Sequence, residues 1–196
     1  MGALAGHLSH LHENLDFTFG ELKSILANVV AGETPVVEKV DGQNIFFAFQ
    51  IDPATGSIRT ARGKGDLAKG GMTPDEFTQK WEGHPAQSAF MSGFEAIRQG
   101  MDRLDSASFA DIFKPSSPGG KRFVNAEIIY SNHPNVINYG GDYIVMHNLQ
   151  EFDADNKLVD VQLSGGDFAR LVNEIEIAQQ NLDEEAWGII GPQVVE

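Results

Sequence analysis

The sequence contains no cysteine. That excludes disulfides and every thiolate metal site, and it makes a reducing cytoplasm the expected compartment. No apolar run approaches the ~20 residues that a membrane span needs, so no membrane partner is expected. The opening residues, Met1-Gly2-Ala3-Leu4-Ala5-Gly6, have neither a basic start nor a long apolar stretch, and no signal peptide is read there. No internal repeat and no low-complexity tract is found. Basic residues are scarce as well, with 14 Lys and Arg against 28 Asp and Glu and a net charge of −14.

The shortage is uneven. Residues 1–122 hold 12 basic and 15 acidic side chains, whereas residues 123–196 hold only Lys157 and Arg170 against 13 acidic ones. Nucleic-acid affinity comes largely from neutralising phosphates, and an acidic surface repels them. The chain alone is therefore expected to bind DNA or RNA poorly. A nucleotide remains an admissible partner, because a local pocket can be positive on an acidic protein.

What is present fits a soluble α+β domain. A chain of 196 residues with 41% hydrophobic and 21% charged residues can bury a sizeable core. Residues 1–34 read as a lead-in followed by a helix. Leu22, Ile25, Leu26, Val29 and Val30 recur at helical spacing, Asp16 or Thr18 is the cap, and Gly32 lies just past the end. From Val36 to Asp52 the composition turns to β-formers around an Asp-Gly turn, and Ser57 to Arg62 follows after a second turn at Asp52–Gly56. Residues 63–72, rich in glycine and lysine, read as a mobile loop.

Helices are expected from Thr73, with Phe77 and Trp81 on one face, and from Pro85 to Leu104, burying Phe90, Phe94, Ile97 and Met101. Strands return at Arg122–Tyr130 and Tyr143–Phe152. A last helix spans Ser164 to about Gln180. Runs of strands and helices that do not alternate predict a mostly antiparallel sheet flanked by helices. The organisation is one domain, with a core over residues 35–152 and a helix and acidic tail over 153–196.

The chemistry-bearing segment is Glu38-Lys39-Val40-Asp41-Gly42-Gln43-Asn44. Lysine is a nucleophile only when neutral, so its reference pKa near ~10.4 must fall for it to act at neutral pH. Partial burial or a nearby cation pushes it that way. Asp41 shares a face with Lys39 on an extended strand. Gly42 leaves room for a ligand or another backbone segment to come close.

Lys-x-Asp-Gly followed by a polar residue and Asn resembles the signature of the covalent nucleotidyltransferases: DNA ligases, RNA ligases and mRNA capping enzymes. With Glu before the lysine, it looks most similar to phage-type RNA ligases. The resemblance implies an ATP-grasping adenylation fold and ATP with Mg2+ as cofactors. It makes Lys39 the catalytic nucleophile on the α-phosphorus. Asn44 is then a ribose or phosphate contact, the Glu38 backbone a base contact, and Asp41 and Gly42 part of the nucleotide pocket.

Three further matches follow in the family's order. Ala61-Arg62-Gly63 supplies Arg62 for the ribose or phosphate. Val124-Asn125-Ala126-Glu127-Ile128-Ile129 supplies Glu127 for the ribose or the metal. Ile144-Val145-Met146-His147-Asn148-Leu149 places His147 where the family stacks an aromatic on the base. The family's later Glu-Gly and Lys-x-Lys strands have no counterpart, which predicts a truncated or degenerate relative, with RNA or DNA contacts supplied by a missing or separate region. A fainter resemblance, through His7–Phe17 and the Lys-Val-Asp-Gly region, is to proteins of T4-like marine phages, which would place the chain in an infected bacterium.

Plainer readings stand beside these. Lys-x-Asp-Gly can be a strand ending in a turn, with Lys39 solvated. Arg62, Lys64 and Lys69 can form an ordinary basic loop. His7, His10 and His12 match no closed metal site, and Gly63-Lys64-Gly65 lacks the spacing of a phosphate-binding P-loop. Phe46, Phe47 and Phe49 read as core.

Overall fold

The computed structural model describes residues 16–34, 36–37, 40–50, 57–102, 110–132, 137–163, 165–179, 187–192 and 194–195. The histidines at 7, 10 and 12, the turn at Asp52–Gly56, and both Glu38 and Lys39 lie outside them. The chain forms two compact units, one of residues 1–40 with 192–196 and one of residues 41–191.

The first unit holds helix α1 (Phe19–Val30) and an antiparallel pair, β1 (Val36–Val37) with β8 (Val194–Val195). Thr18, not Asp16, caps α1. Its hydroxyl accepts from Glu21 N–H while Glu21 reaches back to the Thr18 N–H at 2.7 Å, a capping box that satisfies two orphan donors. No residue of α1 is buried, and Val30 is 88% exposed.

The second unit is α+β, an open and mostly antiparallel sheet flanked by helices. Its strands are β2 (Gln43–Gln50), β3 (Ser57–Ala61), β4 (Lys121–Ile129), β5 (Tyr143–Phe152), β6 (Leu158–Gln162) and β7 (Gly188–Ile190), in the order β3-β2-β4-β5-β6. β7 pairs with β5 in parallel along Tyr143–Val145, and β6 takes the same strand along Leu149–Phe152. Strand β5 has the expected bounds. β6 was not expected; it follows an Asp153–Lys157 turn in which Asn156 takes a left-handed φ of 62°, a conformation asparagine tolerates.

The glycine-rich segment expected as a loop contains helix α2 (Lys64–Ala68). The N–H groups of Asp66 and Leu67 both donate to the Gly63 carbonyl, and the Asp66 carboxylate accepts from the Arg62 N–H at 3.0 Å. These local bonds override the poor helix propensity of Gly65. Helix α3 (Pro74–Trp81) starts with a Thr73–Glu76 capping box and proline in its first turn.

Helix α4 (Gln87–Met101) buries Phe90, Phe94, Ile97 and Met101, as its spacing predicts. Gly93 lets α4 close on the sheet: a Cβ there would lie 2.7 Å from Ile128 Cδ1. Helix α5 (Gly166–Gln179) buries Phe168, Leu171 and Ile175. The side-chain amide of Gln179 donates to the Ile189 carbonyl and accepts from the Ile189 N–H at 2.6 Å, so a side chain completes the pairing of β7.

A buried ion network ties the 110–120 segment to the sheet. Arg122 donates to Glu151 and Asp167, each at 2.7 Å, and to the Ile112 carbonyl at 3.0 Å. Glu151, only 3% exposed, also accepts from the N–H and hydroxyl of Ser116. Burial would raise the Glu151 pKa, but the bonds from Ser116 and Arg122 outweigh it and hold the carboxyl below its ordinary range.

Candidate functional site

Cross-strand partners in a sheet share a face. Asn44 lies opposite Glu127, and Phe46 opposite Asn125. Glu127 lies opposite Val145, and Asn125 opposite Asn148. One face of the second unit therefore carries Asn44, Asn125, Glu127 and Asn148. Between Asn125 and Ala126 the register with β5 slips, from Asn148 to Met146, leaving His147 as the extra residue of a β-bulge. A bulge re-aims its side chain, and His147 joins this face. Its Nε2 sits 3.9 Å from Glu127 Oε1.

The turn of the Lys-x-Asp-Gly segment is fixed from three sides. The Asp41 N–H donates to Tyr139 Oη at 2.9 Å, and the Asp41 carboxylate accepts from the Ile137 N–H at 3.3 Å. The Gly42 N–H donates to Glu127 Oε2 at 2.9 Å. Gly42 also meets a steric demand, since a Cβ there would lie 2.6 Å from the Ile128 carbonyl oxygen. The close neighbour is thus a backbone segment of β4. Asn44 Nδ2 donates to Asn125 Oδ1 at 2.7 Å and to the Ala126 carbonyl at 3.3 Å.

Arg62, at the end of β3, reaches across to the same place. Its Nη1 donates to the Asn44 carbonyl oxygen. Its guanidinium carbon lies 4.8 Å from the centre of the Phe90 ring and 5.8 Å from that of Trp81, two rings stacked on each other at 4.2 Å. Behind it, Asp66 accepts from the Arg62 N–H and pairs with Lys80 at 2.6 Å. Burial lowers the Arg62 pKa, partly offset by the negative charges of Glu127 and Asp66. An arginine so placed stays charged at neutral pH. Burial also lowers the His147 pKa, which favours the neutral ring. Its Nε2 is buried and has no hydrogen-bond partner among the described residues.

Asp41, Gly42, Asn44, Arg62, Glu127 and His147 therefore converge, and the proposed nucleophile Lys39 and its neighbour Glu38 lie outside the described residues. Four participants escaped the sequence reading. Asn125, fully buried, pairs with Asn44; Tyr139 holds the turn; Trp81 and Phe90 form the bed beneath Arg62. An asparagine inside an apolar strand was the one signal available for Asn125, since buried polar side chains require partners.

A carboxylate and amides on one sheet face, with a guanidinium reaching the Asn44 carbonyl at the edge beyond β3, can hydrogen-bond a sugar diol or a phosphate. Among the described residues no group of three or more His, Cys, Asp or Glu side chains is placed to hold a metal ion, and no helix is long and apolar enough to cross a membrane. Compared with protein-family models, curated proteins and solved structures, the chain matches none.

Proposed function

We propose that this chain carries the nucleotide-binding core of a lysine-adenylating nucleotidyltransferase similar to polynucleotide ligases. Lys39 is the nucleophile and ATP the nucleotide. The observation that supports this reading is the direct bonding of the motif to its distant companions: the Gly42 N–H donates to Glu127, and Arg62 donates to the Asn44 carbonyl. A chance Lys-x-Asp-Gly turn requires no such contacts with the family's next two signature residues.

In this reading the neutral Lys39 amine attacks the α-phosphorus. A P–N bond forms, the bond to pyrophosphate breaks, and the amine proton passes to solvent. Arg62 and Asn44 bind ribose or phosphate oxygens, and His147 lies beside the base. Mg2+ is commonly held by one or two carboxylates together with substrate phosphates; Glu127 is the carboxylate for it, and the remaining ligands arrive with the nucleotide. The acceptor is RNA or DNA held by a separate region, and the setting is the cytoplasm of a phage-infected bacterium.

A second reading has its own support. After Arg122 the only basic residues are Lys157 and Arg170, and Arg170 is tied to Asp111 and Glu174 at 3.3 Å each. Charge stabilisation dominates phosphoryl-type transfer, so a leaving pyrophosphate has few cations here. That favours a module that binds a nucleotide without transferring it, in a binding or structural role.

Thermal denaturation with ATP, GTP or NAD, with and without Mg2+, combined with incubation in labelled ATP, separates the two. The first reading predicts a rise in Tm and an acid-labile adduct absent from Lys39→Ala. The second predicts the rise alone. No rise with any nucleotide and no adduct removes both.

A further inference from the structure

The pairing of β2 with β4 ends at Phe47 and Val124. Beyond that point β2 stays on β3 as far as Gln50, and β4 stays on β5 as far as Lys121. The sheet splits there, and a cavity of about 440 Å3 lies at the split. That volume is within the ~300–1,000 Å3 of small-molecule sites.

Its walls combine two chemistries. Phe49, Phe113 and Phe123 supply apolar surface, Lys114, Lys121 and Arg122 supply positive charge, and among the described residues no acidic one lines it. Three described carboxylates near it are engaged elsewhere: Glu151 and Asp167 hold Arg122, and Asp111 pairs with Arg170. Lys121 donates to the neutral Asn156 amide, and Lys114 makes no ion pair among the described residues. Two ammonium groups beside aromatic walls thus have no carboxylate partner among the described residues, on a chain whose net charge is −14.

We propose that this cavity binds a small organic anion, a phosphate or carboxylate head on a planar apolar body. The head pairs with Lys114 and Lys121, and the body lies among the phenylalanines. The site is independent of the one formed by Arg62 and Glu127, because Phe123 and Glu127 are four residues apart, about 13 Å along the strand.

The test is titration of the full, 15N-labelled chain with phenyl phosphate, followed by backbone amide shifts. Saturable shifts are expected at Phe49, Phe113, Lys114 and Lys121–Phe123, while Gly42, Arg62 and Glu127 stay still. Inorganic phosphate and phenol, each carrying half of the chemistry, bind at least about tenfold more weakly. Adenosine monophosphate in parallel distinguishes a nucleotide source from a simple aryl anion by which of the two saturates at the lower concentration. The double variant Lys114→Gln/Lys121→Gln alters exposed ends of side chains, and its spectrum reports whether it is folded. It loses about tenfold or more in affinity for phenyl phosphate. Absence of saturable shifts, shifts elsewhere, equal binding of phenol, or unchanged affinity in the folded double variant would overturn the proposal.

Discussion

The carboxylate of Glu127 accepts a hydrogen bond from the Gly42 N–H at 2.9 Å, so a side chain of the fourth strand holds the turn of the Lys-x-Asp-Gly segment. Both groups are half-buried. Truncating the side chain to a methyl leaves a half-buried N–H without its acceptor, which costs up to about 1–3 kcal/mol. Glu127→Ala is therefore expected to lower the urea midpoint clearly. Glu127→Gln, which keeps an acceptor oxygen, should lie nearer the parent. Equal midpoints for the two variants would show that the bond contributes nothing.

Gly42→Ala tests the approach of backbone to backbone. Its Cβ would meet the Ile128 carbonyl at 2.6 Å, and a carbonyl within a paired strand cannot swing aside as a side-chain end can. Overpacking of this kind costs typically ~1–3 kcal/mol. A loss of stability by denaturant titration is expected, together with shifted amide resonances at Glu127 and Ile128.

Arg62→Lys keeps the charge but removes the planar fork and its stacking on Phe90. In the proposed reading, nucleotide affinity measured by calorimetry falls about tenfold or more, while Tm changes little because Lys retains one donor for the Asn44 carbonyl. A large Tm loss with unchanged affinity would assign Arg62 a purely structural role.

His147 gives a pH signature. Burial lowers its pKa from the ordinary 6.5, so below that pH the unfolded chain takes up a proton that the folded chain refuses. Stability from this group is complete above pH 6.5 and declines as pH falls towards the folded pKa, with a slope of at most about 1.4 kcal/mol per pH unit. His147→Gln should flatten the stability profile just below pH 6.5. A histidine that titrates by NMR at or above its ordinary value would contradict this.

Arg122→Met leaves Glu151, 3% exposed, without its cationic partner. Breaking one side of a buried pair costs about 3–5 kcal/mol, and this is the most destabilising substitution foreseen. Denaturant titration checks it.

Local sequence signals made much of this architecture legible. The Thr18 and Thr73 caps, the apolar spacing of Gln87–Met101 and the bounds of Tyr143–Phe152 are all short-range features. What escaped depends on distant partners. α2 is held by bonds to Gly63 and Arg62 rather than by propensity. The mostly exposed β6 exists because β5 offers an open edge along Leu149–Phe152. In the candidate site, Asp41, Asn44, Arg62, Glu127 and His147 were singled out by the order of sequence motifs, and the structure brings them near one another. The partnership of Asn44 with Asn125 and of Asp41 with Tyr139 was not, because sheet register and a long connection bring them together.

The most direct measurement is the intact mass of the protein after incubation with ATP and Mg2+, followed by peptide mapping of any adduct. The account predicts an added adenylate carried by the peptide that contains Lys39, and none on Lys39→Ala. An unmodified protein that also fails to bind ATP, or an adduct on a different lysine, would contradict it.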